Sequence, residues 1–211
     1  MNKHIQELVS RYGNKVVENR RYLHAHPELS FQEEKTARWI RDALIKAGIP
    51  MLEGISGNST VGYLKGERPG PSIGLRADID ALGLVEENKL PYKSITPGVM
   101  HGCGHDAHTA VLLAVAEILA AHRELIKGTV YFVFEQAEEF LPGGAVQLVK
   151  DGIMDKIDYM FAIHVDAENP VGTIDIEEGS RFAAVGTYDF KSRAKAATAA
   201  FPTRPTIRFC R

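Results

Sequence analysis

Cysteine is scarce in this 211-residue sequence: there are two, Cys103 and Cys210. They are far apart and one sits among histidines, which argues against a disulfide framework and makes a reducing cytoplasm the expected compartment. Long apolar runs are missing as well. No window approaches the roughly 18 apolar residues that a membrane span needs. The N-terminal stretch MNKHIQELVSRYGNKVVENRRYL lacks the apolar centre of a signal peptide, so no membrane partner is expected. An excess of one charge is also absent. The 25 Lys and Arg nearly balance the 27 Asp and Glu, leaving a net of −2 and no ground for a nucleic-acid partner. There is no internal repeat and no low-complexity linker.

What is present is an ordinary globular composition, 45% apolar, enough for a sizeable core. The length suits one large domain, or one domain with part of another. Apolar residues at helical spacing (Ile5, Leu8, Val9, Tyr12, Val16, Val17, Leu23) predict a helix over 3–24 that ends before Pro27. SFQEEKTARWIRDALIKAGIP predicts a second helix, with Ser30 as N-cap, Glu33 in the capping-box position and Gly48 and Pro50 as the stop. STVGYLKG, SIGLRADIDAL, GTVYFVFEQAEE, IDYMFAIHV, GTIDIEEG and AAVGTYDF have strand character, whereas HTAVLLAVAEILAAHREL and GGAVQLVKDG have helical character. Alternating strands and helices predict an α/β layered domain.

Three of the apolar strands run into ionisable residues at their C-terminal ends: Asp78 and Asp80, Glu138 and Glu139, and His164. Ligands in open α/β sheets bind outside the carboxyl ends of strands. The stretch MHGCGHDAHTA, residues 100–110, adds Cys103, His105, Asp106 and His108 on a glycine-rich loop ahead of a helix. Thiolate and imidazole suit zinc and similar ions, and carboxylate suits harder ones. The alternative for the loop is a polar helix start with Cys103 as a small buried apolar residue. Adjacent Glu138 and Glu139 would repel if buried and free. One as a metal ligand and the other as a proton carrier resolves the conflict; two acids pointing into solvent would resolve it too. His164 closes an apolar strand, and a lone histidine there is more often a core residue than a ligand. Asp78 and Asp80 are two apart and share a strand face. A carboxylate there can orient a ligating histidine, or both can be turn residues. His24 and His26 read as local packing and turn chemistry.

Taken in order, RRYLHAHPELSFQEEKTA, LRADIDAL, MHGCGHDAHTA, AEE followed by GGA, and HVDAENPVGTI resemble the aminoacylase/hippurate-hydrolase branch of the co-catalytic metallopeptidases. That branch includes N-acyl-amino-acid amidohydrolases, N-acetyldiaminopimelate deacetylases and plant auxin-conjugate hydrolases. The resemblance covers about residues 18 to 190. It implies a three-layer α/β/α sandwich with a mixed sheet, interrupted in full-length relatives by a lid domain through which they often dimerise. It further implies two divalent ions (Zn, Mn or Co) held by Cys103, His105, Glu139 and His164, with Glu138 as catalytic acid/base and Asp78 and Asp106 in support. The implied reaction is hydrolysis of the amide bond of a small-molecule N-acyl amino acid. Two departures are small: FEQAEE stands where the family often has FQPAEE, and Gly83 follows DAL where it often has proline. A cysteine nucleophile, Cys103 with His105 or His164 as base, is the rival chemistry, but it leaves the glutamate pair unexplained.

The end of the chain departs further. Residues 191–211 hold six of the Lys and Arg and none of the Asp and Glu. One permitted set of codons for this segment, read two nucleotides later, spells ITGKGGHGSFPHETNDPILS, the pattern with which the family opens its lid. The expectation is therefore residues 1–186 as the N-terminal part of a catalytic domain and 187–211 as the start of a lid replaced by an out-of-frame tail. Such a chain, with the catalytic domain incomplete and the lid essentially absent, is expected to bind metal with little or no turnover.

Overall fold

The structure, a computed structural model, describes residues 3–179. The AAVGTYDF strand and the basic tail expected from the sequence lie outside them. The chain divides into two compact units, Met1–Ala167 and Glu168–Arg211.

Within the first unit the order is α1 (Lys3–Ala25), α2 (Glu34–Lys46), β1 (Thr60–Lys65), β2 (Arg68–Asp78), α3 (His105–Ala121), β3 (Lys127–Glu135), α4 (Gly144–Lys150) and β4 (Tyr159–Ala162). The four strands form one mixed sheet in the order β1-β3-β2-β4. β3 pairs antiparallel with β1 and parallel with β2, and β2 pairs parallel with β4. Parallel neighbours need a crossover. Helix α3 supplies one between β2 and β3, and α4 lies on the second, between β3 and β4.

The run VYFVF in β3 shows why this sheet is covered on both faces. Side chains alternate along a strand. Val130, Phe132 and Phe134 pack into a core with Ala37, Ile40 and Leu44 of α2 and Leu112, Leu113 and Ala116 of α3. Val133, with Tyr131 beside it, faces the other way, onto Leu148 of α4, Val61, Ile153 and Ile157. The result is the expected α/β layering, with helices on both sides of the sheet. β4 is an edge strand whose four residues are all exposed.

Two local expectations fail. α2 begins at Glu34 with no side-chain cap from Glu33, and Ser30 does not cap it. The carboxylate of Glu28 takes over, accepting from Thr36 N at 2.8 Å and Thr36 Oγ1 at 2.9 Å. Ser30 and Glu33 are committed elsewhere: Ser30 Oγ donates to Asp80 Oδ2 at 2.7 Å, and Glu33 is fully buried. The apolar stripe of α1 is only partly covered. Leu8 and Leu23 are buried, but Ile5, Val9 and Val17 are exposed.

The second unit is described over 168–179. It holds a turn in which Thr173 N donates to Pro170 O at 3.1 Å. GTIDIEEG forms no strand there, against its alternating pattern, and Ile174 and Ile176 stand exposed. Alternation alone does not make a strand; it needs a neighbouring edge to complete the ladder.

The packing predicts unequal costs for two aromatic truncations. Phe132→Ala, in the fully buried core, should destabilise the chain by about 3–5 kcal/mol in urea unfolding. Phe161→Ala, on exposed β4, should lose only a small part of that.

Candidate metal centre

Because β2, β3 and β4 run parallel, their carboxyl ends lie along one edge of the sheet, and the ionisable residues after them meet there. The central group is His105, the first residue of α3 and 1% exposed. Its Nδ1 lies 3.0 Å from the carbonyl of Asp80 and 3.1 Å from Asp80 Oδ1. Both are acceptors, so Nδ1 carries the hydrogen and Nε2 presents its lone pair. Around Nε2 stand Asp78 Oδ2 at 3.6 Å, Glu139 Oε1 at 3.7 Å and Glu138 Oε2 at 3.8 Å. Nε2 of His105 and Oε1 of Glu139 are buried with no hydrogen-bond partner among the described residues.

Cys103 and His164 complete the cluster, with Sγ and Nε2 3.4 Å apart. Three sets of donor atoms lie within ion-holding distance of one another: Cys103, His105 and His164; His105, Glu138 and Glu139; and Asp78, His105 and His108. Thus six of the seven residues to which the resemblance gives a role come together. Asp106, the seventh, faces α1: it accepts from His24 Nδ1 at 2.7 Å and Arg20 Nε at 2.9 Å. His24 is buried between Asp106 and Glu86, 3.1 Å from the latter, and so joins two distant segments where turn chemistry was expected. His26 does make a local bond, to Tyr22 O at 2.7 Å.

The loop geometry follows from small residues. Gly104 has φ +90°, and a Cβ there would come within 2.3 Å of Val165 Cγ2; only glycine lets the Cys103 loop and the segment after His164 approach so closely. His108 ties the same two segments. Its Nδ1 is 2.7 Å from Asp78 Oδ1, and its Nε2 accepts from Val165 N at 2.9 Å.

On a regular strand Glu138 and Glu139 would point to opposite faces. Here β3 has ended, and Ala137 adopts φ +50°, which bends the chain so that both carboxylates approach His105. Glu139 N donates to Asp80 Oδ2 at 3.0 Å. Asp80 therefore holds His105 with one oxygen and the glutamate backbone with the other. This second function, and the contributions of His108 and Glu33, have no signature in residue spacing, because they depend on contacts across the sheet edge.

The electrostatics are those of a crowded anionic site. Burial, then Glu139, raises Glu138 above the ordinary carboxylate value. Burial, then Glu139, pushes the Cys103 thiol up to about 12. Burial disfavours charged His105, but Asp80, Asp78 and Glu139 outweigh it and raise its value. Asp78 is held down at about 2: burial opposes its charge, yet His108, His105 and Arg76 prevail. Arg76 bridges Asp78 and Glu135, at 2.7 Å each.

His101 behaves oppositely. Burial, the main cause, lowers it from an ordinary 6.5 to about 4. Its stabilising neutral state is intact above pH 6.5. Between 6.5 and 4 the unfolded chain takes up a proton that the folded chain refuses, so stability falls as pH falls. Wild type should lose roughly 2–3 kcal/mol more than His101→Asn between pH 7.5 and 4.5 in urea unfolding. The raised value of His105 acts in the other direction, but alike in both proteins.

The chain as a whole is similar to known proteins. The chain is 41% identical over 198 residues to an N-acyl-L-amino acid amidohydrolase of Geobacillus stearothermophilus, covering 94% of this chain and 54% of that protein. It is 37% identical over 196 residues to an N-acetylcysteine deacetylase of Bacillus subtilis, covering 90% and 50%. A crystal structure from Bacillus subtilis, described as a dinuclear metal binding peptidase from the M20 family, superposes with a TM-score of 0.77 at 40% identity, over 81% of this chain and 47% of that one. The chain thus spans about half the length of the relatives it matches. With the model of peptidase family M20/M25/M40 matching residues 74–211 as well, the chain belongs to that family.

Proposed function

We propose that this chain is the N-terminal part of a metal-dependent amidohydrolase that cleaves the amide bond of N-acyl amino acids. What carries the assignment is His105 Nε2, buried, without a hydrogen-bond partner among the described residues and facing three carboxylates at 3.6 to 3.8 Å. A divalent cation satisfies that arrangement where protein groups do not. Cys103, His105, Glu139 and His164 are the residues to hold the ions, and their mix of sulfur, nitrogen and oxygen suits Zn, Mn or Co. Two bound ions would supply Lewis acidity and lower the pKa of a water.

The chain's own residues supply the rest. Glu138 is more exposed than Glu139, with side chains 43% and 22% accessible, and its raised pKa suits a group that takes a proton and returns it. It would take the proton of an attacking water at a carboxylate oxygen and deliver it to the leaving nitrogen. Asp80 fixes the His105 tautomer, and Asp78 and Asp106 support the ligand-bearing elements from either side. A cysteine nucleophile requires a lowered thiol pKa, and Cys103 is pushed the other way, to about 12.

The composition of residues 191–211, six Lys and Arg with no Asp or Glu, supports a second element of the proposal. The 211-residue chain would bind ions with little turnover, residues 187–211 being a lid start that leaves its frame near Lys191. Resequencing from about codon 185 tests this. A one-nucleotide correction restoring GKGGH and a long open frame is the expected result; an original frame that itself continues the family pattern would overturn it.

In the 211-residue chain, Cys103→Ala should weaken Zn²⁺ binding at least tenfold in chelator competition, within the roughly 10–100-fold range of metal-site lesions. Glu138→Gln should keep the ions. In the frame-restored enzyme Glu138→Gln should cut turnover of N-acetyl amino acids by about 10²–10⁴. Full turnover in that variant, or no ion bound by wild type, would overturn the assignment.

A further inference from the structure

Glu33 is a fully buried carboxylate that no step above uses. Burial raises its pKa, partly offset by hydrogen bonds. A buried acid is costly to keep, so its partners show what it does. Glu33 Oε1 accepts from Ala137 N at 2.7 Å, across 104 residues of sequence, and Oε2 accepts from Asn58 Nδ2 at 3.1 Å.

Both partners belong to one knot. Ala137 is fully buried and holds φ +50°, a left-handed conformation that residues with a Cβ seldom adopt. Such strain persists only where the surroundings over-determine it. Here they do. Asn58 N donates to Gln136 Oε1 at 2.6 Å, and Gln136 N donates to Ser59 Oγ at 3.2 Å. A Cβ at Gly144 would lie 2.0 Å from Gln136 O, so the chain is closed in on that side too. The bend at Ala137 is what turns Glu138 and Glu139 together toward His105.

We propose that Glu33 is a positioning residue: by accepting the Ala137 amide it locks the left-handed bend that aims Glu138 and Glu139 at the ion site. This rests on the metal-centre assignment for its effect on ions, but the clamp itself is a contact of the metal-free chain. Glu33 need not touch substrate or ion, and a change there should act through residues 137–139.

Three variants of the 211-residue chain test it: Glu33→Gln, Glu33→Ala, and Glu33→Ala combined with Ala137→Gly. Two quantities are measured: Zn²⁺ affinity by chelator competition, and amide hydrogen exchange over residues 135–139. Glu33→Gln keeps an oxygen for the Ala137 amide and, with the Asn58 amide turned, keeps that partner as well. It should bind within about threefold of wild type and keep Ala137 protected, while Glu33→Ala should lose at least about tenfold in affinity together with that protection. Glycine tolerates positive φ, so the double variant should recover part of the lost affinity, a rescue that a general loss of packing would not show. Unchanged affinity in folded Glu33→Ala overturns the proposal, as does failure of Glu33→Gln to retain binding. If Glu33→Ala does not fold, the double variant decides: restored folding with ion affinity regained supports the clamp, and no restoration by glycine at 137 overturns it. If wild type binds no ion, the metal-centre assignment falls and exchange at Ala137 decides the clamp by itself: protection retained without Glu33 overturns it, and protection lost supports it.

Discussion

Three carboxylates around one imidazole nitrogen are the constraint on which this site turns. Asp78, Glu138 and Glu139 all approach Nε2 of His105 within 3.6 to 3.8 Å, and Asp80 holds the hydrogen on Nδ1. Among the described residues, neither Nε2 of His105 nor Oε1 of Glu139 has a hydrogen-bond partner. The surrounding structure serves to hold them there. Arg76 offsets part of the negative charge from one side, and His108 holds Asp78 by a hydrogen bond from another. The helix start at His105 brings the imidazole to the place where three parallel strands end.

Much of this was legible from residue order. Asp78, Glu138, Glu139 and His164 follow apolar strands, and parallel strands put their ends on one edge. Cys103 and His105 lie on a glycine-rich loop ahead of a helix, which suits two side chains turning to one point; that Val165 closes on Gly104 is visible only in the structure. The α/β layering was equally legible, since VYFVF is apolar on both faces and such a strand must be covered twice.

What spacing concealed was division of labour. Ser30 and Glu33 fit the local template for a helix start, yet Glu28 does that work and the other two reach across the molecule, to Asp80 and Ala137. Local templates ask only what a side chain can do for its neighbours in sequence. A buried carboxylate whose partner is a hundred residues away looks the same in one dimension as a surface cap. Asp80 was paired with Asp78 by strand periodicity, but it lies past the end of β2 and owes its position to the turn. The alternation in GTIDIEEG fails for a related reason: a strand is a property of two segments.

The long reach of these contacts also orders events in time. Glu33 meets Ala137, and β1 meets β3 in register from Thr60 opposite Phe134 to Lys65 opposite Thr129. Contacts so distant in sequence close late, because the chain entropy of each loop is spent before the contact rewards it. On the ribosome, α1 and α2 can form early, but no binding geometry exists until β3 has emerged and docked beside β1 and β2. His164 must follow before the last of the donors is present. The site therefore assembles only after residue 164 has emerged, and a nascent polypeptide stalled between residues 109 and 137 has Cys103, His105 and His108 but not yet Glu138 and Glu139 to set against them.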